Sequence, residues 1–187
     1  MANSQPTLLL CAGLQSGGTT LVSWCFLQRR DVNGILDANY DVLPEIPRVS
    51  EPLAWCKFTV AAFRLGEAAA HYEDAGWRVR PLLVVRDPRA VFRSLIRKPY
   101  GYNGTSAEDP PIRMRLRRFH EDWRQARDAG WPILSFEQFL LRPEQSLRGL
   151  CEELDLPWDE GMVSWPKALS DIAVADWGNP TFHRTMK

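Results

Sequence analysis

Two short stretches of this chain carry residue types at spacings suited to holding anions. The first, "AGLQSGGTTLVSW" (residues 12–24), follows the apolar run "TLLLC" and opens a helix-like segment. In it Gln15, Ser16, Gly17, Gly18, Thr19 and Thr20 form a Gly/Thr-rich turn. Gly17 and Gly18 let the backbone approach a ligand, and the amides of Gly17 to Thr20 face it from the positive end of a helix. Thr19 and Thr20 add hydroxyl donors. A Walker loop of the form GxxxxGK[ST] would place a lysine here, and this chain has none, which disfavours ordinary nucleotide hydrolysis. The second stretch is "VVRDPRAVFRSL". Arg86 ends an apolar run, Asp87 is a fitting N-cap, and Pro88 suits the first helical position. Ser94 then falls in the second turn of that helix. An arginine fork and a hydroxyl suit a dianionic phosphate. The plain alternatives are a glycine turn joining strand to helix, and a surface pair between Arg86 and Asp87.

The elements that must position these residues alternate along the chain. "TLLLCAG", "VNGILDA", "LAWCKFTV", "RPLLVVRD" and "WPILSFEQ" read as strands. Helices are predicted over "TTLVSWCFLQRR", "AAFRLGEAAAHYEDAGW", "DPRAVFRSLIRK" and "PEQSLRGLCEELDL". Ile112, Leu116, Phe119, Trp123 and Ala126 recur at helical spacing and define one further amphipathic helix. "PYGYNGTSAEDPP" is a long loop by its Gly, Pro, Asn and Ser content. Such alternation predicts an α/β fold, a central, mostly parallel sheet flanked by helices, in three layers. In these sheets ligands bind beyond the carboxyl ends of the strands, where both anion motifs lie. Neither repeats nor linkers interrupt the chain, so residues 1–187 are expected to form a single domain.

Composition sets the outer limits. Lys plus Arg and Asp plus Glu both number 23, so the chain is near neutral and does not read as a general nucleic-acid binder. No apolar stretch has the length of a membrane span, and "MANSQP" lacks the basic and apolar parts of a signal peptide; a cytoplasmic location is expected. Cys11, Cys25, Cys56 and Cys151 are scattered without a CxxC pair, and free thiols are expected rather than a metal site or disulfides.

Taken as an ordered pair, "GLQSGGTTL" and "VVRDPRAVFRSL" resemble the two phosphate-binding motifs of the sulfotransferases that use 3′-phosphoadenosine 5′-phosphosulfate (PAPS). The first is similar to their 5′-phosphosulfate loop. The second is similar to their 3′-phosphate motif of Arg, seven intervening residues and Ser, which Arg86 and Ser94 match without a gap. "SFEQFLLRPEQSLRGLCEELDLPW" resembles the family's late strand and helix, and "DWGNPTF" resembles segments that some members bring over the cofactor. The resemblance runs from about Leu8 to Phe182. It implies a P-loop-like fold and transfer of a sulfuryl group from PAPS to a hydroxyl or amine. It also implies 3′,5′-adenosine bisphosphate (PAP) as product, and no required metal.

The resemblance also shows where this chain departs from its relatives. "WCKFTV" is similar to a lysine-x-histidine strand of cytosolic members. Lys57 fits the lysine, but Thr59 stands at the histidine. His71 and His120 fall in predicted helices and His183 in the tail, so a carboxylate is the better general base. Asp37 lies at or within one residue of the place where carbohydrate- and tyrosine-modifying members carry a glutamate, with Asp41, Glu45 and Glu51 as alternatives; Asp37 equally well caps a turn. Lys57 is the candidate to replace the loop lysine, since an ammonium within so apolar a strand is otherwise awkward. Leu21, not Trp24, occupies the place of an adenine-stacking Trp. The arginines of "RMRLRRF" are expected on the solvated face of the amphipathic helix. A small molecule or a glycan end is the expected acceptor. Two rival readings remain, a P-loop kinase-like phosphotransferase and an adenosine-bisphosphate-binding protein without catalysis.

Overall fold

The computed structural model describes residues 5–38, 42–95 and 112–175. Its centre is a five-stranded sheet, β1 (Thr7–Gly13), β2 (Val32–Ile35), β3 (Leu53–Thr59), β4 (Arg78–Val85) and β5 (Ile133–Ser135). The strands lie in the order β2-β3-β1-β4-β5, and every pairing is parallel. β1 is the middle strand, and it is apolar without a break because both of its faces are covered. Leu9 and Cys11 pack toward one helical layer, Leu8, Leu10 and Ala12 toward the other.

The first layer holds α1 (Thr19–Leu27), with α5 (Phe136–Leu141), α6 (Pro143–Glu153) and α7 (Gly161–Ser164). The second holds α2 (Leu65–Asp74) and α4 (Ile112–Ala129). Between β4 and α4 lies α3 (Pro88–Leu95), whose Val91 and Leu95 pack on Leu14 of the turn after β1. After α7, a 3-10 turn over Leu169–Asp171 leads to Val174, which bridges to Ile35 in parallel. Among the described residues no helix is long and apolar enough to cross a membrane. All four cysteines are buried and unpaired in disulfides; burial pushes the Cys25 and Cys56 thiols up to about 12, which keeps them unreactive.

The expected α/β architecture is the observed one, with differences at element ends that have local causes. The last strand stops at Ser135, because the Ser135 hydroxyl accepts from the Gln138 amide (3.4 Å) and starts α5. α1 ends at Leu27 instead of running to Arg30. Beyond it, Arg29 turns inward, 1% exposed, and grips the Asp31 carboxylate through two nitrogens (2.9 and 2.8 Å). α2 begins at Leu65, four residues later than expected, where the Leu65 amide donates to the buried Asp122 carboxylate of α4 (3.0 Å).

Candidate functional site

The carboxyl ends of β1, β3 and β4 are level. Gly13 pairs with Thr59 on one side and with Val84 on the other. Chain leaving these ends carries the Gly/Thr turn after β1 and the Arg86–Ser94 stretch after β4. The turn Leu14–Gly18 is closed by the Gly17 amide donating to the Leu14 carbonyl (2.8 Å). Ser16 (φ 65°) and Gly18 (φ 87°) are left-handed, and no side chain caps the first turn of α1. The opening amides of that helix are therefore left without a side-chain acceptor at its positive end. Ser16 Oγ is buried without a hydrogen-bond partner among the described residues.

The glycines answer first to the turn itself. A Cβ on Gly17 would lie 2.6 Å from the Leu14 carbonyl oxygen, and one on Gly18 would lie 2.0 Å from the Phe136 ring. These contacts give the two glycines a reason internal to the turn, apart from any ligand.

Arg86 reaches this turn from β4. Its Nη1 donates to the Ser16 carbonyl (2.7 Å), and its guanidinium lies over the Phe136 ring, 5.1 Å from the centroid. Glu137 of α5 stands 4.0 Å from its Nε, so Arg86 meets Ser16, Phe136 and Glu137 where the plain alternative had a surface pair with Asp87. Asp87 instead caps α3, accepting from the Arg89 amide (2.8 Å). Ser94 is partly buried in the second turn of that helix, three positions beyond Val91 and thus on the face that packs on Leu14.

Asp37 and Lys57 meet on the other side of α1. β2 lies beside β3 with Ile35 opposite Cys56, which sets Lys57 near the residues just beyond β2. Lys57 is 2% exposed, and its Nζ lies 2.5 Å from Asp37 Oδ1. Thr20 donates from Oγ1 to Asp37 Oδ2 at 3.4 Å. The backbone holds the pair in place, since the Ala38 amide donates to the Lys57 carbonyl (2.7 Å). Ser23 of α1 donates to the Leu36 carbonyl (2.7 Å) and accepts from Trp55 Nε1 (2.6 Å), while Trp55 stacks on Phe26. Thr20 therefore joins the Gly/Thr turn to the Asp37–Lys57 pair, and the two halves of the site share one helix end.

The other candidate bases lie elsewhere. Glu51 sits before the amino end of β3; burial works against its charge, but hydrogen bonds led by Asn33 (3.0 Å) outweigh it and hold the carboxyl below its ordinary range. Glu45 is exposed, as are His71 on α2 and His120 on α4, where their rings rest against Tyr72 and Trp123. Asp41, His183, "PYGYNGTSAEDPP" and "DWGNPTF" lie outside the described residues. Trp24 is buried in edge contact with Trp165, a packing role.

One expectation needs correction. The arginines of "RMRLRRF" do not all lie on a solvated face. Arg115 is 2% exposed, and its Nη1 donates to Gln15 Oε1 (2.8 Å) on the Gly/Thr turn. Arg118 donates to the carbonyls of Ala61 and Ala62 after β3. The apolar stripe already held the signal, because position 115 precedes Phe119 by four residues and so lies on the inward face. Phe136 carries no such mark; only β5 lying next to β4 brings its ring under Arg86.

Comparison with known proteins follows the same lines. A family model described as "Sulfotransferase family" matches residues 40–160, which include Lys57, Arg86 and Ser94 but neither the Gly/Thr turn nor Asp37. Among solved structures, the chain is similar to a "Sulfotransferase Domain from the Curacin Biosynthetic Pathway" (TM-score 0.62, 13% identity, covering 87% of this chain and 78% of that one). It is also similar to mouse sulfotransferase SULT7A1 complexed with PAP (TM-score 0.54, 11% identity, covering 90% and 66%). At these identities the likeness is one of fold. A comparison with curated proteins returns no match.

Proposed function

Because the chain belongs to the sulfotransferase family, we propose that it moves a sulfuryl group from PAPS to a hydroxyl or amine of a small molecule or glycan end. The observation that carries this reading is the Thr20 hydroxyl, which joins an uncapped Gly/Thr turn to a buried Asp37–Lys57 pair (3.4 and 2.5 Å). An anion-binding turn and a carboxylate within reach of one point are what in-line transfer needs from a protein.

The residues present suit a donor with two anionic ends. Gln15, Ser16, Gly17, Gly18, Thr19 and Thr20 receive the 5′-phosphosulfate, and Arg86 with Ser94 receives the 3′-phosphate. In the transfer, the bond from sulfur to the bridging phosphate oxygen breaks as one from sulfur to the acceptor atom forms. Asp37 takes the acceptor's proton as general base. Lys57 holds Asp37 in position and brings a positive charge near the oxygen on which charge develops, the task a loop lysine would otherwise have. Burial at 2% exposure favours this reading of Lys57, since an ammonium in so closed a site is little screened by water.

Turnover tests the reading. With sulfur-labelled PAPS and a panel of hydroxyl and amine acceptors, the wild-type chain transfers label, and Asp37→Asn does so ~10²-fold more slowly or worse. Transfer by Asp37→Asn at the wild-type rate would remove Asp37 from the chemistry. Phosphate transfer from magnesium-ATP in place of sulfuryl transfer would favour the kinase-like alternative.

A further inference from the structure

Arg115 is a buried charge at the Gly/Thr turn that the proposed function does not use. It is 2% exposed, and a guanidinium at that depth costs several kcal/mol unless acceptors surround it. Its Nη1 donates to Gln15 Oε1 at 2.8 Å, which turns the amide nitrogen of Gln15 away from Arg115. The next residue, Ser16, is held through its carbonyl by Arg86 (2.7 Å). Two guanidiniums from separate elements thus grip consecutive residues of a turn that contains no lysine.

The helix carrying Arg115 is itself anchored at this edge of the sheet. Three residues on, Arg118 holds the Ala61 and Ala62 carbonyls; seven residues on, Asp122 accepts from the Leu65 amide (3.0 Å). These positions fall on one inward stripe of α4. The stripe fastens α4 to the chain leaving β3, and Arg115 extends the same row of contacts to the chain leaving β1.

We propose that Arg115 is a further cation serving the donor loop, in addition to Lys57. Acting through Gln15, it is a positioning residue that sets the turn to receive the 5′ end of the donor and adds positive potential there, whereas Arg86 serves the 3′ end. This inference rests on the donor reading above, and its test separates the two.

Calorimetric titration of the full chain with two ligands, adenosine 3′,5′-bisphosphate and adenosine 3′-monophosphate, distinguishes a 5′-directed effect from a general one. Arg115→Gln is expected to weaken the bisphosphate about tenfold, the scale of one charge-assisted contact. The 3′-monophosphate should change less than about twofold, because it leaves the turn empty. Placing the charge on the turn itself, with Gln15→Lys in the Arg115→Gln background, should recover most of the lost bisphosphate affinity. Equal losses for both ligands would make Arg115 a structural residue and overturn the proposal, as would an unchanged bisphosphate affinity. Should Arg115→Gln fail to give a cooperative thermal transition, Arg115→Met, which keeps the length of the side chain without its charge, decides: a bisphosphate-selective loss supports the proposal, and an equal or absent loss ends it. If the wild-type chain binds neither nucleotide, the donor reading itself fails, an outcome distinct from wild-type binding that Arg115 does not influence.

Discussion

Lys57→Met removes the ammonium from a site where its partner has little access to water. The two side chains are 3% and 16% exposed and 2.5 Å apart, so the substitution leaves the Asp37 carboxylate in a closed site with, among the described residues, only the longer Thr20 contact at 3.4 Å. Breaking a buried pair by removing one member costs about 3–5 kcal/mol. Asp37 keeps some exposure and the Thr20 hydroxyl, which places Lys57→Met near the lower end, at about 3 kcal/mol. Asp37→Leu strands the more buried ammonium and should cost at least as much. The double variant replaces the pair with apolar groups and should lose no more than either single variant, giving a coupling of at least about 3 kcal/mol. Urea unfolding at neutral pH, followed by tryptophan fluorescence, measures all four corners of the cycle. Additivity within about 0.5 kcal/mol would refute the reasoning, because it would mean that Lys57 and Asp37 do not share a desolvated contact in solution.

Two further perturbations probe the frame around the site. Gly18→Ala meets both a left-handed backbone (φ 87°) and the Phe136 ring, and should destabilise the chain by about 2–4 kcal/mol in chemical denaturation. Phe136→Leu in the same chain should return only the steric part, and a Gly18→Ala variant of wild-type stability would contradict the turn geometry. Asp122 gives a pH-dependent test. Burial, only partly offset by the Leu65 amide and Arg64, and helped by Glu67 and Glu121, raises its carboxyl from 3.8 to about 7. Between those values the folded chain holds a proton that the unfolded chain has lost, so this group makes stability fall as pH rises through that window. Asp122→Asn keeps an oxygen for the Leu65 amide and does not titrate. Its stability relative to wild type should rise by roughly 3 kcal/mol between pH 4.5 and pH 8, read as urea midpoints, and an unchanged difference would count against the buried carboxyl.

What could be read from the sequence divides along local and non-local lines. β1 matches its reading from Thr7 to Gly13 because a strand covered on both faces must be apolar throughout, and Gly13 ends it. Ser135 and Gln138 stand at capping-box spacing, a local sign that the last strand would turn into helix at Phe136. Asp37 and Lys57 could each be singled out by type and place, but their meeting depends on β2 lying beside β3 in one register, which no short stretch encodes. Arg115 was legible as a position on the inward face of α4 and was obscured by its charge. One partner of the buried guanidinium, Gln15, lies 100 residues away. Asp122 was hidden in the same manner, since its amide partner belongs to α2.

The most direct test of the donor assignment is a calorimetric comparison of adenosine 3′,5′-bisphosphate with magnesium-ATP on the wild-type chain and on Arg86→Ala. The expected result is bisphosphate binding at about micromolar Kd or tighter, with magnesium-ATP at least ~10-fold weaker. In Arg86→Ala, which should remain folded, bisphosphate affinity should fall ~10-fold or more with the loss of a charge-assisted phosphate contact. Tighter binding of magnesium-ATP, or bisphosphate affinity unmoved by Arg86→Ala, would contradict it.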